Sequence, residues 1–210
     1  MTIIECTMRL ASIRQKNAFQ EPVWHVFLAL GLAVGLQLVL NDQLTFGFKY
    51  VIVGLEVILS LILTVAPLPK NARRFIAILL IALISIANIV ALGIVIDALF
   101  GGVGVDGHQL LISSMAIYLT NIIVFGLWYW ELDNTRVEVM DFLFPQTVAK
   151  PSWRPTFFDY VYVSITNATA FSPTDTLPLT HRAKFLMTLQ SVTSLAIVVL
   201  VTARAVNILS

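Results

Sequence analysis

The chain has 210 residues, of which 58% are hydrophobic and 12% charged, and its mean hydropathy is +0.88. Soluble domains average about 45–50% apolar and about 25% charged residues, so a soluble core is excluded, and a net charge of +1 favours neither nucleic acid nor an acidic partner. Cys6 is the sole cysteine, which rules out an intramolecular disulfide and cysteine-based metal sites and leaves an inert thiol in the N-terminal tail.

In the tail, residues 1–22, Ile4, Met8, Ala11, Ala18 and Phe19 share one side of a helix while Glu5, Arg9, Ser12 and Lys16 lie opposite. That pattern suits an interfacial helix on an anionic leaflet. Arg14 and Gln15 interrupt the stripe, so a plain basic tail is the alternative. Five apolar runs follow: Val23–Leu40, Tyr50–Leu68, Phe75–Phe100, Leu110–Trp130 and Phe185–Ile208. At 1.5 Å per residue each is long enough for about 30 Å of hydrocarbon. The first is read as a retained helix, because no small-x-small cleavage site follows Leu40. Asn41-Asp42, Pro67–Arg74 and the glycines of 101–104 punctuate the runs, so the first four helices are expected to be antiparallel neighbours. Residues 23–100 thus form a three-helix N-terminal membrane part and residues 108–210 a second module.

Arg9, Arg14, Lys16, Lys70, Arg73 and Arg74 fall on one side of that topology, and the opposite short loops offer only Lys49. The positive-inside rule then predicts a cytoplasmic N-terminus, a cytoplasmic Glu131–Lys184 connection and an outward C-terminus. Within that connection, the aromatic run Phe157–Val163 leads into the polar segment Thr166–Arg182 before the last apolar run. A half-helix, a polar turn and a full span are the pattern of a re-entrant loop, since non-helical backbone at membrane depth needs protein or a water-filled cavity around it. The predicted fold class is therefore an all-α integral membrane protein with five transmembrane helices and a re-entrant, pore-loop-like half-helix before the last span.

Polar residues inside the runs form a second signal. Glu56 sits in VIVGLEVILSL, where a carboxylate is expected to face protein and hydrogen-bond, or to be protonated. Asn88, Asn121, Gln190, Ser191 and Ser194 are the candidate partners. One reading is a proton- or cation-linked site around Glu56; the plainer one is helix–helix hydrogen bonding at about 0.6–2 kcal/mol per contact. His25 reads as an interfacial anchor, and Leu127-Trp128-Tyr129-Trp130 as an aromatic belt. No HExxH, GxSxG or phosphate-binding glycine loop is present. Asp159 and Asp175 could be pictured as an aspartyl pair, but Asp159 is explained as the start of the half-helix. Neither an enzyme nor a cofactor or metal is expected.

Read backwards from Asp175, the segment SITNATAFSPTDTLPLT resembles the pore helix and filter of tetrameric potassium channels. Ser164, Ala168, Thr169, Asp175, Pro178 and Thr180 fall where those channels commonly have the same residue types, with Leu110–Trp130 as the matching outer helix. The filter itself departs. Where the channels have Thr-Val-Gly-Tyr-Gly-Asp, this chain has Ala170-Phe171-Ser172-Pro173-Thr174-Asp175. Without glycines, and with Pro173 fixing φ near −65°, a stack of ion-dehydrating carbonyls cannot be built in that form. The pore-lining candidates become Thr169, Ser172, Pro173, Thr174 and Asp175: hydroxyls with a carboxylate at the mouth, which would attract hydrated monovalent cations. The predicted orientation is opposite to that of potassium channels and matches the inverted pore loop of ionotropic glutamate receptors.

Over nearly its full length, the chain also resembles a family of uncharacterised bacterial integral membrane proteins, through GLWYWELD, DFLFPQ, DYVYVSITNATAFSPTDTLPLT and ARAVNIL. That resemblance implies a multi-pass protein of the bacterial inner membrane and no particular activity. The functional expectation is a channel-like, weakly selective cation pore built by a homo-oligomer, most simply a tetramer, in the lipid bilayer. The alternative is a non-conducting membrane protein that uses the loop as a structural or partner-binding element, with Ser-Pro-Thr-Asp as an ordinary turn and Thr180 as the N-cap of the last helix.

Overall fold

The computed structural model describes residues 24–40, 47, 49–99, 106–134, 140–150, 153–169 and 176–209. Helix makes up 85% of them. In chain order they form α1 (Trp24–Val39), α2 (Lys49–Val65), α3 (Lys70–Leu99), α4 (Gly107–Asn134), β1 (Phe142–Leu143), α5 (Pro145–Ala149), α6 (Phe157–Ala168), β2 (Leu177–Pro178) and α7 (His181–Leu209). The two strands pair antiparallel over two residues each, so the described chain is all-α. The tail pattern of residues 1–22 lies outside the described residues.

Among the described residues, three helices are long and apolar enough to cross a membrane: Asn71–Ala98, Gly107–Asn134 and His181–Ala203. The first two helices are shorter, 16 residues in α1 and 17 in α2. Their ends have local causes. Pro67 and Pro69 follow α2, and proline supplies no N–H to continue a helix. The run expected to reach Leu68 therefore stops at Val65. At the start of α4 the Asp106 carboxylate accepts from the His108 N–H at 3.1 Å, a helix N-cap.

The chain divides into two compact units, one of residues 27–124 with 192–210 and one of residues 1–26 with 125–191. In the first, α2 packs along α3. Its core joins Leu40, Ala91, Leu92, Ile94, Val95, Leu110, Ala116, Ile117 and Ile197. Polar side chains in this core are bonded to one another or to backbone. Asn88 Nδ2 donates to the Ile117 carbonyl at 3.2 Å, and Asn121 Nδ2 donates to Ser194 Oγ at 2.9 Å. Lys49, read from sequence as a loop charge, is instead the first residue of α2 and is buried. Its ammonium donates to the Leu40 carbonyl at 2.9 Å, placing a cation on the carbonyl end of α1, where the helix dipole favours it.

Leu28, Leu32, Val51, Ile58, Ile86 and Val192 face outward while Gln37, Glu56, Asn88, Asn121 and Ser194 are buried. Ser85, Ser114 and Thr202 donate their hydroxyls to carbonyls four residues back in their own helices. Apolar outside, with the buried polar side chains bonded inside apart from Glu56 Oε2, is the arrangement that suits a hydrocarbon surround.

Candidate functional site

The second unit holds the predicted half-helix. Its core is aromatic: Phe125, Tyr129, Phe142, Phe144 and Tyr160 pack with Val163 and Ala183. The Phe144 and Tyr160 rings meet edge to face at 5.4 Å between centroids, a favoured geometry for aromatic pairs. Tyr129 is fully buried at the centre of this cluster, so the belt reading is corrected for that residue. α4 runs on to Asn134, which puts Tyr129 inside a packed helix instead of at its end.

α6 starts where the sequence suggests, at Phe157. The Asp159 carboxylate accepts from the Thr156 N–H at 2.6 Å and from its hydroxyl at 2.7 Å, holding the first turn closed. Asp159 is thereby occupied as a cap. The helix then lies close against α4: a Cβ placed on Gly126 would come within 3.3 Å of the Val161 backbone. Glycine permits that approach because it has no side chain.

Farther along, α6 is tied to α4 and α7 by one network centred on Gln190. Gln190 Oε1 accepts from the Tyr129 hydroxyl at 2.5 Å and from Asn167 Nδ2 at 2.9 Å. Gln190 Nε2 donates to the Ser164 carbonyl at 3.0 Å and to Ser164 Oγ at 2.7 Å. Asn167 also donates to the Met187 carbonyl at 2.9 Å and accepts from Ser191 Oγ at 3.1 Å. Ser191 and Gln190, candidate partners of Glu56, are engaged here instead. At 1.5 Å per residue, positions 187–191 lie about 9–15 Å along α7 from its start. The C-terminal end of α6 therefore meets α7 well inside that helix.

Both feet of the excursion are fastened near the end of α4. Asp133 Oδ2 accepts from the Tyr160 hydroxyl at 2.6 Å, near the start of α6. Asp133 Oδ1 accepts from the Asp141 N–H at 2.9 Å. On the return, the Leu179 N–H donates to the Asp141 carbonyl at 2.9 Å, β2 pairs with β1, and the Thr180 hydroxyl donates to Asp141 Oδ1. Thr180 Oγ1 also accepts from the Ala183 N–H at 3.3 Å, which makes it the N-cap of α7. Asp133 and Asp141 were not singled out by sequence reading. Their only signal is that two acids flank a segment between strongly aromatic runs.

Among the pore-lining candidates, Thr169 is exposed and donates its hydroxyl to the Ile165 and Thr166 carbonyls at 2.9 and 3.3 Å. Ser172, Pro173, Thr174 and Asp175 lie outside the described residues. The candidates within the helical runs, Glu56, Asn88, Asn121, Gln190 and Ser194, are all buried. The partner of Glu56 is a residue that sequence reading passed over. Gln37 Nε2 of α1 donates to Glu56 Oε1 at 3.0 Å, and both side chains are buried. Among the described residues no group of three or more His, Cys, Asp or Glu is placed to hold a metal. No family model, curated protein or solved structure matches the chain.

Proposed function

We propose that this chain is a five-span, all-α integral membrane protein of the bacterial inner membrane, with a cytoplasmic N-terminus, in which residues 153–180 form a re-entrant hairpin lining a weakly selective cation path in a homo-oligomer. One observation carries this reading. α6 has 12 residues, about 18 Å, too short to cross about 30 Å of hydrocarbon. It begins beside Asp133, ends against the interior of α7, and is followed by a chain that returns to Asp141. Its C-terminal, carbonyl end is the inner one, and the helix macrodipole makes that end negative. A half-helix so directed stabilises a cation and repels an anion at membrane depth. The residues that follow include Asp175, whose carboxylates, repeated around a symmetry axis, would concentrate cations further.

The competing reading is a non-conducting protein in which the hairpin is a structural or partner-binding element. It is favoured by the closure of the polar network: Gln190 uses both amide ends on Tyr129, Asn167 and Ser164. Cation flux into proteoliposomes, with the particle mass measured in nanodiscs, decides between them. The pore reading expects an oligomer, flux above empty vesicles, and an Asp175→Asn variant whose flux falls most at low ionic strength, where screening is weakest. A monomer, or an oligomer silent at every voltage and pH, leaves the structural reading.

A further inference from the structure

We propose that Gln37 and Glu56 form a proton-binding site, in which Glu56 is held as the neutral acid with its carbonyl oxygen accepting from Gln37 and its proton on Oε2. The site lies in the unit of residues 27–124 and does not depend on the hairpin or on whether the protein conducts.

Glu56 has no solvent exposure. One oxygen, Oε1, accepts from Gln37 Nε2 at 3.0 Å; the other, Oε2, is buried and has no hydrogen-bond partner among the described residues. An ionised carboxylate in such surroundings needs a cation or several donors, and one amide supplies neither. The charged groups of the neighbouring elements are placed elsewhere. α1 carries no Asp, Glu, Lys or Arg, and the other titratable residues of α2 are Lys49 and Tyr50 in its first turn. The Lys49 ammonium is bound to the Leu40 carbonyl. On α3 the charges sit near the ends, at Lys70, Arg73 and Arg74 and at Asp97.

The choice of a proton over a metal cation follows from ligand number. A metal ion replaces its water shell with several oxygens, and no cluster of acidic or imidazole groups surrounds Glu56 among the described residues. A proton needs one oxygen, and Oε2 is that oxygen. Gln37 is the positioning residue: its amide selects which oxygen is the carbonyl and which takes the proton.

The test is infrared spectroscopy of the purified full chain in lipid at neutral pH. The wild-type-minus-Glu56→Gln difference should contain a protonated-carboxyl C=O band. In Gln37→Leu that band should move to higher frequency, because the carbonyl loses its donor. A difference showing carboxylate bands only, or a band that Gln37→Leu leaves in place, overturns the proposal. A second measurement needs no variant. Dicyclohexylcarbodiimide partitions into apolar regions and takes the proton of a neutral acid on nitrogen. The carboxylate oxygen then adds to the central carbon, and acyl migration leaves an N-acylurea carrying the whole reagent. Peptide mass mapping should find that adduct on Glu56 and none after a water-soluble carbodiimide. Absence of the apolar adduct, or labelling by the water-soluble reagent alone, counts against a buried neutral acid.

Discussion

Replacing Gln190 with leucine separates the polar network from simple packing, because leucine nearly conserves volume and removes both amide ends. Gln190 makes four hydrogen bonds: two to Ser164 and one each with Tyr129 and Asn167. Side-chain hydrogen bonds between membrane helices average about 0.6 kcal/mol each, so Gln190→Leu should cost about 2–3 kcal/mol once the buried groups left behind are included. Tyr129→Phe removes one strong bond and a weaker one from Asn167 at 3.3 Å, and should cost about 1 kcal/mol. The double variant counts the Tyr129–Gln190 bond once. Its cost should therefore fall short of the sum of the singles by about 0.6 kcal/mol or more. Reversible unfolding in mixed micelles, followed by the fluorescence of the four tryptophans, reads all three. Full additivity, or a Tyr129→Phe cost matching that of Gln190→Leu, would refute a network centred on Gln190.

Gly126→Ala places a methyl within 3.3 Å of Val161 and should lower stability by about 1 kcal/mol through overpacking, whereas Gly54→Ala, with no atom within 4 Å of the new Cβ, should be neutral or stabilising by up to about 1 kcal/mol; thermal melts of the two variants compare them directly. Thr180→Ala loses both the cap on the Ala183 N–H and the bond to Asp141 and should cost about 1–2 kcal/mol, with Thr180→Ser restoring most of it in the same melts. Single cysteines at positions 71 and 104, introduced after Cys6→Ser, test the charge-derived orientation: position 104 should label from outside intact cells and position 71 only after permeabilisation, and the reverse pattern inverts the topology.

The helices were legible in the sequence because apolar runs of that length have few alternatives, but their ends were less so. The expected run reached Leu68 where α2 stops at Val65, and began at Leu110 where α4 starts at Gly107 behind the Asp106 cap. Thr180 was readable as a cap, and Asp159 as the start of a half-helix, because the chemistry of a helix start lies within three residues. What failed was rotation. Glu56 could be recognised as a buried acid, but its partner depends on which face α1 turns toward α2, and nothing local to Gln37 encodes that. Tyr129 failed differently. In Trp128-Tyr129-Trp130 a membrane-interface belt and a packed aromatic core have the same composition, and only the burial of Tyr129 separates them. β1, β2 and α5 are too short for any periodicity to register, so the segment that fastens the hairpin was unread.

That fastening settles which parts of the chain can change length. Asp133 holds the outgoing chain through Tyr160 with one oxygen and the Asp141 N–H with the other, and Asp141 in turn receives the returning chain. Both ends of the hairpin are thus referred to a single carboxylate near the end of α4. The stretch between β1 and α6 is itself anchored at Phe144, which packs in the aromatic core, and at Trp153, which packs against it. A change of length between those two rings costs little in loop closure so long as both stay in place. A change at Asp133 has no such tolerance: it moves the start and the finish of the hairpin together. Natural variation in this protein should accordingly accumulate as insertions between Phe144 and Trp153, with the Asp133–Tyr160 bond left as it is.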